Sequence, residues 1–124
     1  MLISVPLSVP VGKKNFILNL NNFRGTHYHI LNNAKRNYKP LVLSVLPRIK
    51  FTDPVEMIYT YYHGSKRKID LSNACSIIDK FVCDVLVEKG VLTDDNTEHL
   101  RRVTYIWGGV DKKNPRCDIE IKNL

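Results

Sequence analysis

Between Lys66 and Asp95 the chain gathers side chains suited to phosphodiester chemistry. Three consecutive cations, Lys66, Arg67 and Lys68, lead into Asp70, a stretch carrying Lys80 and Asp84 follows, and the carboxylate pair Asp94 and Asp95 closes the segment. Magnesium-dependent cleavage of a phosphodiester needs hard oxygen ligands that hold one or two cations against the phosphate, and a positive group for the charge that develops in the transition state. Carboxylates near the ends of a helix, with lysines beside them, meet that need. Plainer roles exist for each residue: Asp70 as a turn or helix-capping residue, Asp94 and Asp95 as a solvated turn, and Lys80 with Asp84 as a surface ion pair one helical turn apart.

A long helix must position these groups. From Asn73 the apolar residues Ala74, Ile77, Ile78, Phe81, Val82, Val85 and Leu86 recur at helical spacing and trace one stripe, which predicts an amphipathic helix over about 73–89. Ser72 or Asn73 is the expected N-terminal cap and Gly90 the left-handed residue past the C-terminus. Upstream, Leu2 to Val11 reads as an extended edge strand, because its prolines cannot donate to a central ladder. The stretch through Arg24 reads as strand and turn. Thr26 to Tyr38 is expected to form a shorter, weakly amphipathic helix, capped by Thr26 and ending before Pro40, with a short apolar run at Leu41 to Leu46. Val55 to Tyr62 has strand alternation, as do Arg102 to Trp107 and Cys117 to Ile121. The turn residues Gly108, Gly109, Asn114 and Pro115 suggest that the last two strands form a hairpin. The expected fold class is α+β: a mixed β-sheet packed against the long helix, plus a shorter helix, in one domain spanning residues 1–124.

The charge balance points to polyanionic partners. With 19 Lys and Arg against 12 Asp and Glu, the formal charge is +7, spread along the chain rather than confined to a tail. Such a surface favours nucleic acid first and an anionic membrane second, the plain alternative being charge that only aids solubility. Cys75, Cys83 and Cys117 make an odd set without CxxC spacing, the pattern of reduced thiols in a cytoplasmic protein rather than of a disulfide frame or zinc site. No apolar run reaches the length of a membrane span, and the N-terminus lacks the features of a signal peptide, so no membrane partner is expected.

His27 and His29 stand two residues apart, on opposite sides of a helix, and read as polar surface residues rather than metal ligands. Tyr59, Tyr61, Tyr62, Tyr105 and Trp107 lie on expected strands and read as core or interface aromatics. There is no glycine-rich phosphate loop, no Ser or Cys nucleophile motif and no zinc spacing, so no nucleotide cofactor is implied.

The string Asp70-Leu71-Ser72-Asn73, then Asp79-Lys80-Phe81-Val82-Cys83-Asp84-Val85-Leu86, then Gly90-Val91-Leu92 and Asp94-Asp95 resembles the RusA family of Holliday junction resolvases. In that family a basic loop enters an Asp-x-Asp-Asn motif, a helix carries a lysine four residues before an aspartate, and a Gly-Val-Leu segment precedes a closing acidic residue. The spacing is that of the subgroup with one extra helical turn after the Asn. The match covers residues 66 to 98 and extends plausibly from Pro54 to Trp107. The resemblance implies a magnesium-dependent endodeoxyribonuclease, with manganese as a possible substitute, acting as a homodimer on branched DNA in recombination and repair. It makes Asp70, Lys80 and Asp95 catalytic, Asp70 and Asp95 metal ligands, and Asn73 and Asp84 supporting residues, with Lys66, Arg67 and Lys68 on DNA. Ser72 departs from the pattern, standing where the family has its second aspartate. Asp94 could take over as a ligand, Ser72 could hold a metal-bound water, or the chain could be a branched-DNA-binding protein that no longer cleaves.

Overall fold

Strand alternation and one strongly amphipathic helix organise the structure, a computed structural model that describes residues 1–124. The elements in chain order are β1 (Leu2–Val5), β2 (Ser8–Val11), β3 (Lys14–Ile17), α1 (Leu20–Gly25), α2 (Tyr28–Leu43), β4 (Val55–His63), α3 (Leu71–Lys89), β5 (Leu100–Val110) and β6 (Arg116–Asn123). β1, β6, β4 and β5 form one mixed sheet in that order, with β4 and β5 parallel and the other pairs antiparallel. The fold is α+β, with one long helix on the mixed sheet, as the residue pattern predicts.

Alternation decides which face of the sheet is covered. Val55, Met57, Tyr59 and Tyr61 of β4 are buried, as are Cys117, Ile119 and Ile121 of β6 and Ile3 and Val5 of β1. The α3 stripe, Ala74, Ile77, Ile78, Phe81, Val82, Val85 and Leu86, is buried in the same core. Burying a Leu, Ile, Phe or Met side chain of this kind contributes about 1.5–3 kcal/mol, so the register of β4 and β6 is fixed by the core. A slip of one residue would turn their apolar set to solvent.

The hairpin expected between the last two strands does not form. β6 pairs with β4 and β1, and β5 pairs with β4 on its other side, so the chain crosses the end of β4 between Val110 and Arg116. The reason lies upstream. β4, α3 and β5 form a strand, helix, strand crossover, which lays β5 parallel to β4 and leaves only the opposite side of β4 for an antiparallel β6.

Four further expectations change. The N-terminal strand breaks at Pro6 and Leu7: β1 is indeed an edge strand of the main sheet, while β2 and β3 make a separate hairpin closed by Gly12, which has φ 62°. Past β3, the presumed turn is the short helix α1, capped by the Asn19 side chain, which accepts from the Asn22 amide at 2.8 Å. The second helix is capped by His27 rather than Thr26 and runs through Pro40 to Leu43, because Val42 is fully buried and the Ser44 amide donates to the Pro40 carbonyl at 3.0 Å. α3 starts at Leu71 with Asp70 in the cap position, so neither Ser72 nor Asn73 is its cap. Its other end is as expected: Gly90 has φ 81°, its amide donates to Val87, and the Val91 amide reaches back to Leu86. No helix is long and apolar enough to cross a membrane.

Candidate functional site

Three adjoining depressions, each sharing lining residues with the next, follow the first turns of α3, the last two also bordered by β5, and together form a groove. Its basic end is lined by His63, Arg67, Lys68, Asp70 and Asn73 together with Asn19 and Asn21. Its middle holds Asp70, Ser72, Asn73, Ser76 and Tyr105, and its far end Ser76, Asp79, Lys80, Cys83, Asp95 and Tyr105. Asp70 and Asn73 belong to the first two sections, Ser76 and Tyr105 to the last two. Arg67, Lys68 and Asp70 at one end of α3 and Lys80 and Asp95 further along it thus line neighbouring depressions rather than one.

At the entrance, Asp70 occupies the cap position of α3 with extended backbone, φ −91° and ψ 115°, yet its side chain makes no capping hydrogen bond. Its carboxylate is exposed and free for a ligand. Asn73 is spent structurally: its Oδ1 accepts from the Leu20 amide at 2.7 Å and ties the start of α1 to α3. Ser72 is exposed on the groove between them. Of the three cations in the basic loop, Arg67 and Lys68 line the groove and Lys66 does not.

At the far end, Lys80 and Asp95 share one section of the groove. Lys80 forms no ion pair with Asp84; its ammonium lies 5.8 Å from the Phe23 ring centroid. Asp94 does not line the groove. Its Oδ1 accepts from the Asp95 amide at 2.7 Å and its Oδ2 from the Asn96 side chain at 3.1 Å, a turn that fixes the backbone at Asp95. Asp95 holds its proton to a higher pH than an ordinary aspartate, first through desolvation, then through its contact with Asp94 and the charges of Asp94 and Asp84.

Asp79 was not singled out from the sequence, and it is the most elaborately held side chain in the groove. Its Oδ1 accepts from the Tyr59 hydroxyl at 2.6 Å and the Cys83 thiol at 3.1 Å, and its Oδ2 from the Tyr105 hydroxyl at 2.9 Å. Burial first, and the adjoining Asp79 and Cys83 next, raise the pKa of both tyrosines above the usual phenol range, so both stay protonated and donate. Burial likewise keeps the Cys83 thiol protonated. A sequence signal for Asp79 existed: Ser72, Ser76 and Asp79 follow the steps of four and three that keep residues on one helix face. Its tyrosine partners, on strands distant in sequence, could not be read in that way.

The groove offers carboxylate and hydroxyl oxygens, with its one thiol held protonated, a donor set that suits a hard divalent cation such as magnesium. No three His, Cys, Asp or Glu side chains converge to chelate an ion unaided. Magnesium characteristically takes one or two protein carboxylates and completes its shell with water and substrate phosphate oxygens, so paired carboxylates fit it. The chain matches no known protein family, and no curated protein matches it in sequence.

Proposed function

We propose that this protein is a magnesium-dependent, structure-selective endodeoxyribonuclease that acts in the cytoplasm as a homodimer on Holliday junctions or related branched DNA. One observation carries the proposal: the row of adjoining depressions along α3 that runs from Arg67 and Lys68, past Asp70, to Lys80 and Asp95. It combines a polyanion-attracting entrance with a carboxylate and cation pair. The resemblance of residues 66–98 to the RusA family names the chemistry that such a pair performs.

In this scheme Arg67 and Lys68 hold backbone phosphates, helped by the first-turn amides of α3, which no side chain caps. Lys66 contributes to the field around the entrance. Lys80 places its ammonium beside the scissile phosphate and offsets charge developing on its oxygens. Asp70 and Asp95 present carboxylates toward a cation, which when bound polarises the phosphate and lowers the pKa of its water. Asp94 acts through Asp95, fixing the turn. Two equivalent sites in a dimer suit a junction, in which two like strands must be cut.

The test is cleavage of synthetic four-way junction, fork and duplex DNA with and without magnesium. Magnesium-dependent paired nicks in the junction, with little cutting of duplex, are the expected result. Tight junction binding with no cleavage in magnesium or manganese would overturn it. That outcome belongs to the second reading, a branched-DNA-binding protein that does not cleave, and Ser72 favours it: a neutral hydroxyl stands at an exposed groove position where the family carries a ligand carboxylate.

A further inference from the structure

Towards the carboxyl ends of the parallel strands β4 and β5, three rings cluster that the chemistry above leaves unused. Tyr61 and His63 stand two apart on β4 and so share one face of the sheet, and Trp107 is the register partner of Tyr61 on β5. The Tyr61 ring stacks on His63 at 5.9 Å and on Trp107 at 6.2 Å between centroids, and the His63 and Trp107 rings are 6.3 Å apart. Tyr61 is buried like any core aromatic, whereas Trp107 is 46% exposed. The cluster begins in the core and ends in solvent. Tyr61 and His63 also line a cavity of about 530 Å³, together with Arg67, Lys68 and the start of α3. Its two cations outnumber the single carboxylate, Asp70, so the cavity favours an anion. His63 Nδ1 is buried there without a hydrogen-bond partner, a state that costs stability and that buried polar groups seldom keep.

We propose that this cavity is a subsite for one unpaired nucleotide of a DNA strand, its base packed against the His63 and Trp107 rings and its phosphate held by Arg67 and Lys68. His63 Nδ1 would then meet a polar edge of the base. Single strands are held in this way, with aromatic rings against bases and cations along the backbone. The inference deepens the nuclease reading, on which it rests for the identity of the polymer, and adds that the branch must offer a base outside its pair. A strand is favoured over a free nucleotide because the adjoining depressions carry the groove onward from Asp70 to Lys80 and Asp95.

Trp107 is the only tryptophan in the chain, so its fluorescence reports on the subsite directly. The full chain is titrated, without divalent ions, with a short oligothymidylate and with the same oligomer made abasic throughout, which keeps the phosphates and lacks the bases. The intact oligomer is expected to quench Trp107 and to bind about tenfold more tightly than the abasic one, the loss that removal of one stacked base implies. Trp107→Ala, at an exposed position, should remove most of that difference when binding is followed by anisotropy of a labelled oligomer. Replacing Arg67 and Lys68 by Ala should weaken both oligomers alike. Equal affinity for the intact and abasic oligomers would overturn the subsite. So would Trp107 emission that changes with protein concentration and not with DNA, the mark of a second copy seated on the ring, and so would equal quenching by thymidine monophosphate, the mark of a free-nucleotide site. Junction cleavage in magnesium judges the nuclease reading separately. Base-dependent quenching without cleavage would retain the subsite and remove the nuclease, and cleavage without base dependence would do the reverse.

Discussion

Asp95 imposes a pH dependence of its own on the groove. Because its proton is held more tightly in the folded chain than in the unfolded one, protonated Asp95 favours folding at low pH, and that contribution is lost as pH rises through its raised value. The carboxylate is largely exposed, so the effect on stability is small, but any step that needs it ionised begins at a higher pH than an ordinary aspartate would allow. Asp94→Ala removes the contact and the charge that add to desolvation, and Asp95 should then titrate lower. Carboxyl NMR titration without divalent ions checks this; an unmoved midpoint would show that desolvation alone sets the value. For cleavage, Asp70→Asn or Asp95→Asn should abolish nicking while junction binding survives, because loss of a negative charge does not weaken attraction to phosphate. Lys80→Ala should lose rate more than affinity. Junction nicking beside gel-shift binding of the same variants measures both, and full activity in Asp70→Asn would remove that residue from the chemistry. Lys80, Asp95 and Asp70 could be proposed from the sequence because their types and spacing resemble a family pattern. Asp79 could not, because its character comes from Tyr59 and Tyr105, contacts that no periodicity along α3 records.

At the scale of elements, α3 was the most legible because burial on one face of a long helix leaves a repeating mark, and Gly90 closes it with a local conformation. The neighbours of a strand leave no such mark. Alternation in Arg102 to Trp107 and Cys117 to Ile121 revealed two strands and could not say that β4 separates them. Pro40 misled because proline breaks helices on average, whereas here the burial of Val42 holds the final turn of α2 in place. β5 carries a feature that is easily tested. Tyr61 pairs with Trp107 and Tyr62 with Gly109, so Gly108 bulges out of register, and a β-carbon there would lie 2.7 Å from the Tyr62 ring. That ring has little freedom to retreat, since the Arg116 guanidinium sits 4.1 Å from its centroid. Gly108→Ala should therefore cost about 1–3 kcal/mol, as overpacking does, measurable by urea denaturation. A loss below a few tenths would mean that the ring moves freely.

For the molecule as a whole, under the proposed function the excess of basic residues would set how the protein meets DNA. Each phosphate neutralised releases counterions, so junction affinity should fall steeply with salt, and replacing Lys66, Arg67 and Lys68 together by Ala should lower both the affinity and the slope. An unchanged slope in a salt series of binding isotherms would remove the loop from the interface. Net charge was legible from composition, but the gathering of Arg67, Lys68 and Asp70 at one end of a groove required the fold. The sheet order carries a different consequence. β6 is the only strand that touches both β1 and β4, so without it the sheet is two pieces with a gap one strand wide. Such a gap accepts a strand from any copy of the chain, and β6 reaches its own place only because the segment from Asp111 to Pro115 folds back across β4. That bend is held by Asp111, which accepts from the Asn114 amide at 3.1 Å and pairs with Arg116 at 2.9 Å. Where the bend is weakened and the chain concentrated, straightening would send β6 into a second molecule, making strand exchange the failure mode built into this topology.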